Sequence, residues 1–219
     1  MFRITCCKRT DTFNMTADPD IALCRRRLDD HLECMALLPS LTAGIVRAGH
    51  LLTNVLAKGR KLLVCGNGGS AADAQHFTAE IVGRFEKERT GWAALALTTD
   101  TSILTAVGND YGYADIFARQ VQALGCDGDA LIGISTSGCS ENVVKAFEQA
   151  AVNKIHTIGL LGRDGGPLKQ IAGTAVVVPH QRTATIQEAH IFILHLWAEL
   201  IETLYFKTRT EAKADDALS

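Results

Sequence analysis

An α/β fold is predicted: a doubly wound parallel five-stranded sheet flanked by helices, with two N-terminal helices packing at a subunit interface. Two observations predict it. Short runs at 61–65, 93–97, 130–134, 155–160 and 174–178 are nearly all apolar, as strands covered on both faces by helices are, whereas half-exposed antiparallel strands alternate with polar residues. Longer stretches of helical period separate those runs, which is the alternation of a parallel sheet. The 219 residues, 47% hydrophobic and 21% charged, are enough for one compact domain, placed at residues 20–207.

Residues 1–19 are polar, mixed and aperiodic, with Met15 among them, and read as a disordered arm or as a translation start placed too early. From Asp20, Leu23, Leu28, Leu32, Met35 and Leu38 fall near one helical face until Pro39-Ser40 punctuates it. A second helix follows on Leu41, Ile45, Ala48, Leu51, Leu52 and Val55, stopped by Gly59. Two amphipathic helices ahead of the first strand read as packing or interface elements, because their apolar faces exceed what one sheet face can cover. The first strand then runs into Gly66-Asn67-Gly68-Gly69-Ser70, with a helix from Ala71 and Ser70 placed as its N-cap. The third strand ends in Ser135-Thr136-Ser137-Gly138-Cys139-Ser140, followed by a helix from Glu141 through Ala151. The last helix carries Gln187, Glu188, His190 and His195 among apolar residues, and a polar tail is expected over 208–219.

Charge and cysteine content narrow the function classes. Twenty-two basic against 24 acidic residues give a net charge of −2, which leaves no general basic field for a nucleic-acid backbone. An anion must be held by a local site, and a small phosphorylated ligand fits that. The seven cysteines, at 6, 7, 24, 34, 65, 126 and 139, have neither paired metal spacing nor a knottin pattern and read as reduced thiols. No run of eighteen apolar residues and no secretory leader is evident, so a cytoplasmic protein away from membranes is expected.

In parallel sheets ligands bind beyond the carboxyl ends of the strands, which directs attention to the two unusual turns. Glycines at 66, 68 and 69 let the backbone approach an anion, and the free N–H groups at a helix start favour phosphate or sugar hydroxyls. A tight turn needing glycine only for its φ angles explains them equally well. The spacing is neither that of a Walker loop nor GxGxxG, which lowers ATP and NAD as ligands. Four hydroxyls crowd the second turn, and capping would account for Ser140 alone; Ser135, Thr136 and Ser137 favour anion binding.

This pair of turns resembles the sugar isomerase (SIS) domain, a phosphosugar-binding fold, with the order of elements matching from about residue 40 to 205. Segments 65–80, 107–111, 133–140 and 186–195 are similar to the bacterial phosphoheptose isomerase family. The resemblance implies conversion of D-sedoheptulose 7-phosphate to D-glycero-D-manno-heptose 7-phosphate, the first step of ADP- or GDP-heptose biosynthesis for lipopolysaccharide core or other glycans. It also implies a homotetramer with one zinc per subunit, held by His76, Glu80, Gln187 and His195. Glu80 then resembles the base and His195 the acid. Substrate contacts are implied for Asn67, Gly68, Gly69, Ser70, Glu80, Asn109, Asp110, Ser135, Thr136, Ser137, Ser140 and Gln187.

Read without the family, several of these have plainer explanations. His76 and Glu80 at i,i+4 suit a shared metal, but spacing alone prefers an ordinary pair on a solvated helix. Asn109-Asp110 suits an Asx turn before Tyr111-Gly112. Gln187 and His195 lie about 12 Å apart along a helix, which requires a distorted helix start or ligands from neighbouring subunits. The segment Arg182-Thr183-Ala184-Thr185 departs from the family pattern. A non-catalytic relative that binds the replication initiator protein resembles the chain over 95–125, but its pattern lacks the catalytic glutamate and histidine that Glu80 and His195 supply here.

Overall fold

The computed structural model describes residues 18–216, with side chains through Lys207; the proposed arm before Asp18 lies outside the described residues. Helix α1 (Pro19–Leu37) begins one residue ahead of the sequence expectation, because Asp18 Oδ1 accepts the Asp20 N–H at 2.8 Å and Pro19 presets the first helical φ. A 3₁₀ turn over Leu38–Leu41 leads into α2 (Thr42–Ala57). The order is then β1 (Leu62–Gly66), α3 (Gly69–Val82), β2 (Ala94–Ala96), α4 (Thr101–Asp110), a 3₁₀ turn (Tyr113–Asp115), α5 (Ala118–Leu124), β3 (Ala130–Ser135), α6 (Glu141–Val152), β4 (His156–Gly162), α7 (Gly166–Ile171), β5 (Thr174–Val178) and α8 (Thr183–Asp216). The five strands pair in parallel in the order β2-β1-β3-β4-β5.

The all-apolar strands do what their composition requires. In β1, Leu62 and Val64 join one buried cluster with α2, α3 and α8, while Leu63 and Cys65 join a second with α5 and α6, as the period of two along a strand dictates. The order reverses between β1 and β3, so a crevice opens beyond their carboxyl ends, where both unusual turns lie.

Helix α2 corrects one expectation: its apolar face is buried on this chain's own sheet, and Trp197 Nε1 of α8 donates to the Ile45 carbonyl at 3.0 Å. The surplus apolar surface belongs to α1, where Leu28 and Leu32 are 62% and 64% exposed. The polar stretch after 207 begins as a continuation of α8, which runs to Asp216. By length and mean hydropathy the stretches Pro19–Ala57 and Thr183–Lys207 could each cross a membrane. The apolar side of α8 is nevertheless occupied, since Ile186, Ile193, Leu194, Trp197 and Ile201 are fully buried in the core. The five described cysteines are free.

Candidate active site

The turn after β1 is built by two glycines for different reasons. A side chain at Gly66 would strike the Ser70 carbonyl, so the turn closes on its own helix. Gly68 has φ +56°, ψ −120° and serves as N-cap of α3, a conformation that non-glycine residues adopt only under strain. Ser70 is therefore not the cap expected for it: the glycine starts the helix sooner and leaves Ser70 buried in the first turn. No atom lies within 4 Å of where a Gly68 side chain would point, so its positive φ alone accounts for that glycine, as the close approach of Ser70 accounts for Gly66.

In the serine-rich turn, the buried Ser135 Oγ accepts the Gly138 N–H at 3.1 Å and lies 2.9 Å from Ser140 Oγ and 3.5 Å from Ser137 Oγ. Ser137 Oγ accepts the Cys139 N–H at 3.1 Å. Ser140 occupies the N-cap position of α6 yet caps it with no side-chain bond. The hydroxyls thus shape a loop at an uncapped helix start, where an anion would satisfy the orphan amides. Ser135 organises that loop from within, whereas Thr136, Ser137 and Ser140 are half-buried at its surface.

Two amides join the turns. Asn67 Nδ2 donates to Asn142 Oδ1 at 2.8 Å, Asn142 Nδ2 donates to Asn67 Oδ1 at 2.9 Å, and the Tyr113 hydroxyl donates to Asn67 Oδ1 at 2.9 Å. Sequence reasoning missed Asn142 and Tyr113. The position of Asn142, two residues past the serine run, was a usable signal; nothing local marks Tyr113. A hollow of about 110 Å³ lies here, lined in part by Gly66, Asn67, Gly68, Thr98 and Tyr113. Asn109 and Asp110 are not drawn into it. They are the exposed last residues of α4, with Asn109 Nδ2 donating to Asp110 Oδ1 at 2.8 Å, so a helix end replaces the Asx turn.

Helices α3 and α8 run side by side. His76 Nε2 and His195 Nε2 lie 2.8 Å apart, Glu80 Oε1 is 3.5 Å from His76 Nε2, and the Phe85 ring stacks on His195 with centroids 5.7 Å apart. His76 therefore lies against both Glu80 and His195. Gln187 does not join them: its amide donates to Asp73 Oδ1 at 3.5 Å and sits where a side chain on Gly69 would be. The helix is regular from Thr183, so eight residues cost about 12 Å and no distorted start brings Gln187 back. Burial pushes the Asp73 carboxyl above its usual range, against the opposing pull of Gln187 and His76, and its Oδ2 is unpartnered. His190 is an ordinary core residue whose Nε2 donates to the Leu161 carbonyl at 3.1 Å. Arg182 Nη1 donates to Thr185 Oγ1 at 3.1 Å at the start of α8.

Among the described residues no three His, Cys, Asp or Glu side chains converge on one point as they stand. The donor chemistry nonetheless suits a borderline cation, with two imidazole nitrogens facing each other beside a carboxylate. Tetrahedral zinc requires nitrogens about 3.4 Å apart, which the facing imidazoles reach by opening about 0.6 Å from their 2.8 Å separation.

Residues 32–162 match the SIS domain family. A phosphoheptose isomerase of Geobacter sulfurreducens is 57% identical over 171 residues, 78% of this chain and 90% of that protein. The solved phosphoheptose isomerase of Francisella tularensis is 37% identical with a TM-score of 0.82, covering 85% of this chain and 100% of the other. That of Neisseria gonorrhoeae is 44% identical with a TM-score of 0.75, covering 83% and 99%.

Proposed function

The chain belongs to the SIS domain family, among its phosphoheptose isomerases, and from that membership we propose how its site works. It is an aldose–ketose isomerase that converts D-sedoheptulose 7-phosphate to D-glycero-D-manno-heptose 7-phosphate in heptose biosynthesis. The observation that carries the assignment of roles is that His76 lies against both Glu80 and His195, which are 115 positions apart in the sequence.

The phosphate lies on the serine turn, where the hydroxyls of Thr136, Ser137 and Ser140 and the first amides of α6 offer hydrogen bonds without a lysine or arginine. The glycine turn, fixed to it by Asn67 and Asn142, receives sugar hydroxyls on its free backbone. At the other end of the substrate, Glu80 takes the proton from C1 and returns it to C2. His195 moves a proton between the two oxygens so that no full charge accumulates on either. Phe85 covers the His195 ring and keeps water from that face. Zinc would be held by His76, Glu80 and His195, with Gln187 as a fourth ligand from a neighbouring subunit, and when bound it polarises the sugar oxygens. Four copies assemble through the leucines of α1 in the cytoplasm, and the product feeds lipopolysaccharide core or another glycan.

A coupled isomerase assay with sedoheptulose 7-phosphate, run beside zinc per subunit on wild type, Glu80→Gln and His195→Ala, tests these roles. Glu80→Gln keeps its shape and binds substrate, but turnover falls by about 10²–10⁴. Wild-type turnover in either variant refutes the assignment. An inactive wild type that captures the replication initiator protein would make the chain a binding protein.

A further inference from the structure

The segment joining α3 to β2 looks like an ordinary surface connection, with Arg84, Glu86, Lys87 and Glu88 exposed. Inside it, however, Arg89 and Glu202 of α8 form an ion pair, Nε to Oε1 at 3.0 Å, each side chain only 2% exposed. Its hydrogen bonding is nearly complete. Glu202 Oε1 accepts the Phe85 N–H at 3.0 Å, and Oε2 accepts those of Glu86 and Lys87 at 3.1 and 2.8 Å. Arg89 Nη2 donates to the Glu80 carbonyl at 2.7 Å, and Nη1 donates to those of Ile81 and Gly83 at 2.9 and 3.3 Å. The guanidinium lies 3.7 Å over the Trp92 ring.

We propose that the Arg89–Glu202 pair is a positioning device for proton transfer, fixing the end of α3 that carries Glu80 and, through Phe85, the ring of His195. The proposal rests on the isomerase reading above. Stability alone does not explain the pair, since well-packed apolar residues commonly match or exceed a buried ion pair. Apolar residues could not hold three consecutive amides and the last carbonyls of a helix in one register. Here the carboxylate belongs to the same helix as His195, two turns further on, and the guanidinium grips the backbone of Glu80 itself. Phe85 bridges the two ends, its N–H on Glu202 and its ring on His195. Burial raises the Glu202 carboxyl, but the amides of Lys87, Phe85 and Glu86 and the Arg89 side chain outweigh that and hold it below the usual range. The pair therefore stays charged at neutral pH.

The test compares Glu202→Gln, Arg89→Lys and Phe85→Leu with wild type, measuring kcat, KM, thermal midpoint and hydrogen exchange at the amides of 85–87. Ile155→Val, in the core at the amino ends of the strands, serves as the control for destabilisation alone. Glu202→Gln is expected to lower kcat by about ten- to a hundredfold with KM little changed, and to speed exchange at 85–87. Arg89→Lys, which keeps the charge but loses the fork of donors, lowers kcat less than Glu202→Gln does, and Phe85→Leu lowers kcat while the ion pair stays in place. Ile155→Val leaves kcat unchanged. Should Glu202→Gln fail to fold, Phe85→Leu and Arg89→Lys carry the test. The proposal is overturned if the folded variants keep kcat within about twofold of wild type, or if KM rises as much as kcat falls. A wild type that does not isomerise sedoheptulose 7-phosphate would overturn the isomerase reading itself, and this proposal with it.

Discussion

Acid should destabilise the fold through His190, and the size of the effect follows from its surroundings. Its side chain is fully buried, Nε2 donates to the Leu161 carbonyl, and Nδ1 has no partner. A proton added at Nδ1 would place an unpaired charge in the core. Burial accordingly lowers the imidazole from 6.5 to about 4, with the Leu161 bond opposing. The unfolded chain takes up the proton first, so the stability is present in full above pH 6.5 and is lost as the pH falls toward 4. Each pH unit in that window removes about 1.4 kcal/mol, giving a loss of about 3 kcal/mol. That is a large share of the roughly 5–15 kcal/mol typical of a domain. Urea unfolding at fixed protein concentration, at pH 7.5 and pH 4.5, should show wild type losing about 2–3 kcal/mol more than His190→Gln. The glutamine amide can still reach the Leu161 carbonyl and does not titrate. Carboxylates such as Glu202 and Asp129, both held low, contribute alike to the two proteins and drop out of the difference. Parallel losses in wild type and variant would refute the reasoning.

The serine turn and the α1 surface supply two further predictions. Ser137→Ala should weaken substrate and inorganic phosphate alike by about 1.5–3 kcal/mol with the melting temperature kept. Ser135→Ala leaves the Gly138 amide only its longer bond to the Ser135 carbonyl, 3.3 Å, and should cost stability by about 0.5–1.5 kcal/mol as well; unchanged affinity in both variants would place the phosphate elsewhere. Leu28→Ser combined with Leu32→Ser should convert a sedimenting tetramer into smaller species, and a tetramer indifferent to both changes would show that α1 does not hold it.

Much of the fold was legible because it rests on local composition. The five apolar runs became five strands, with ends moved by no more than two residues, since double-sided burial leaves no room for polar residues in a central strand. The site was legible in parts. Glycine and serine turns announce themselves by residue type, but which residue caps a helix depends on backbone angles, and so Gly68 displaced Ser70. Helical spacing correctly separated Gln187 from His195 while giving no hint that His76 would face the latter. Asn142 with Asn67 and Arg89 with Glu202 are pairs made across the fold. Tertiary partners of that kind leave no periodic trace, and a helix with one leucine stripe reads the same whether the fold buries that stripe, as in α2, or leaves it exposed, as in α1.

Helices α3 and α8 touch at successive levels: Gly69 and Asp73 with Gln187, His76 with His195, and the end of α3 with Glu202 through Arg89. They work as two toothed rods in fixed mesh. Adding or removing a single residue between Gln187 and His195 would advance one rod by about 1.5 Å and rotate everything beyond it by about 100°. Every later tooth would then miss its partner even if the helix formed perfectly. Length changes in descendants of this chain are therefore intolerable along this stretch, where even a residue of high helical propensity would be as damaging as the loss of His195.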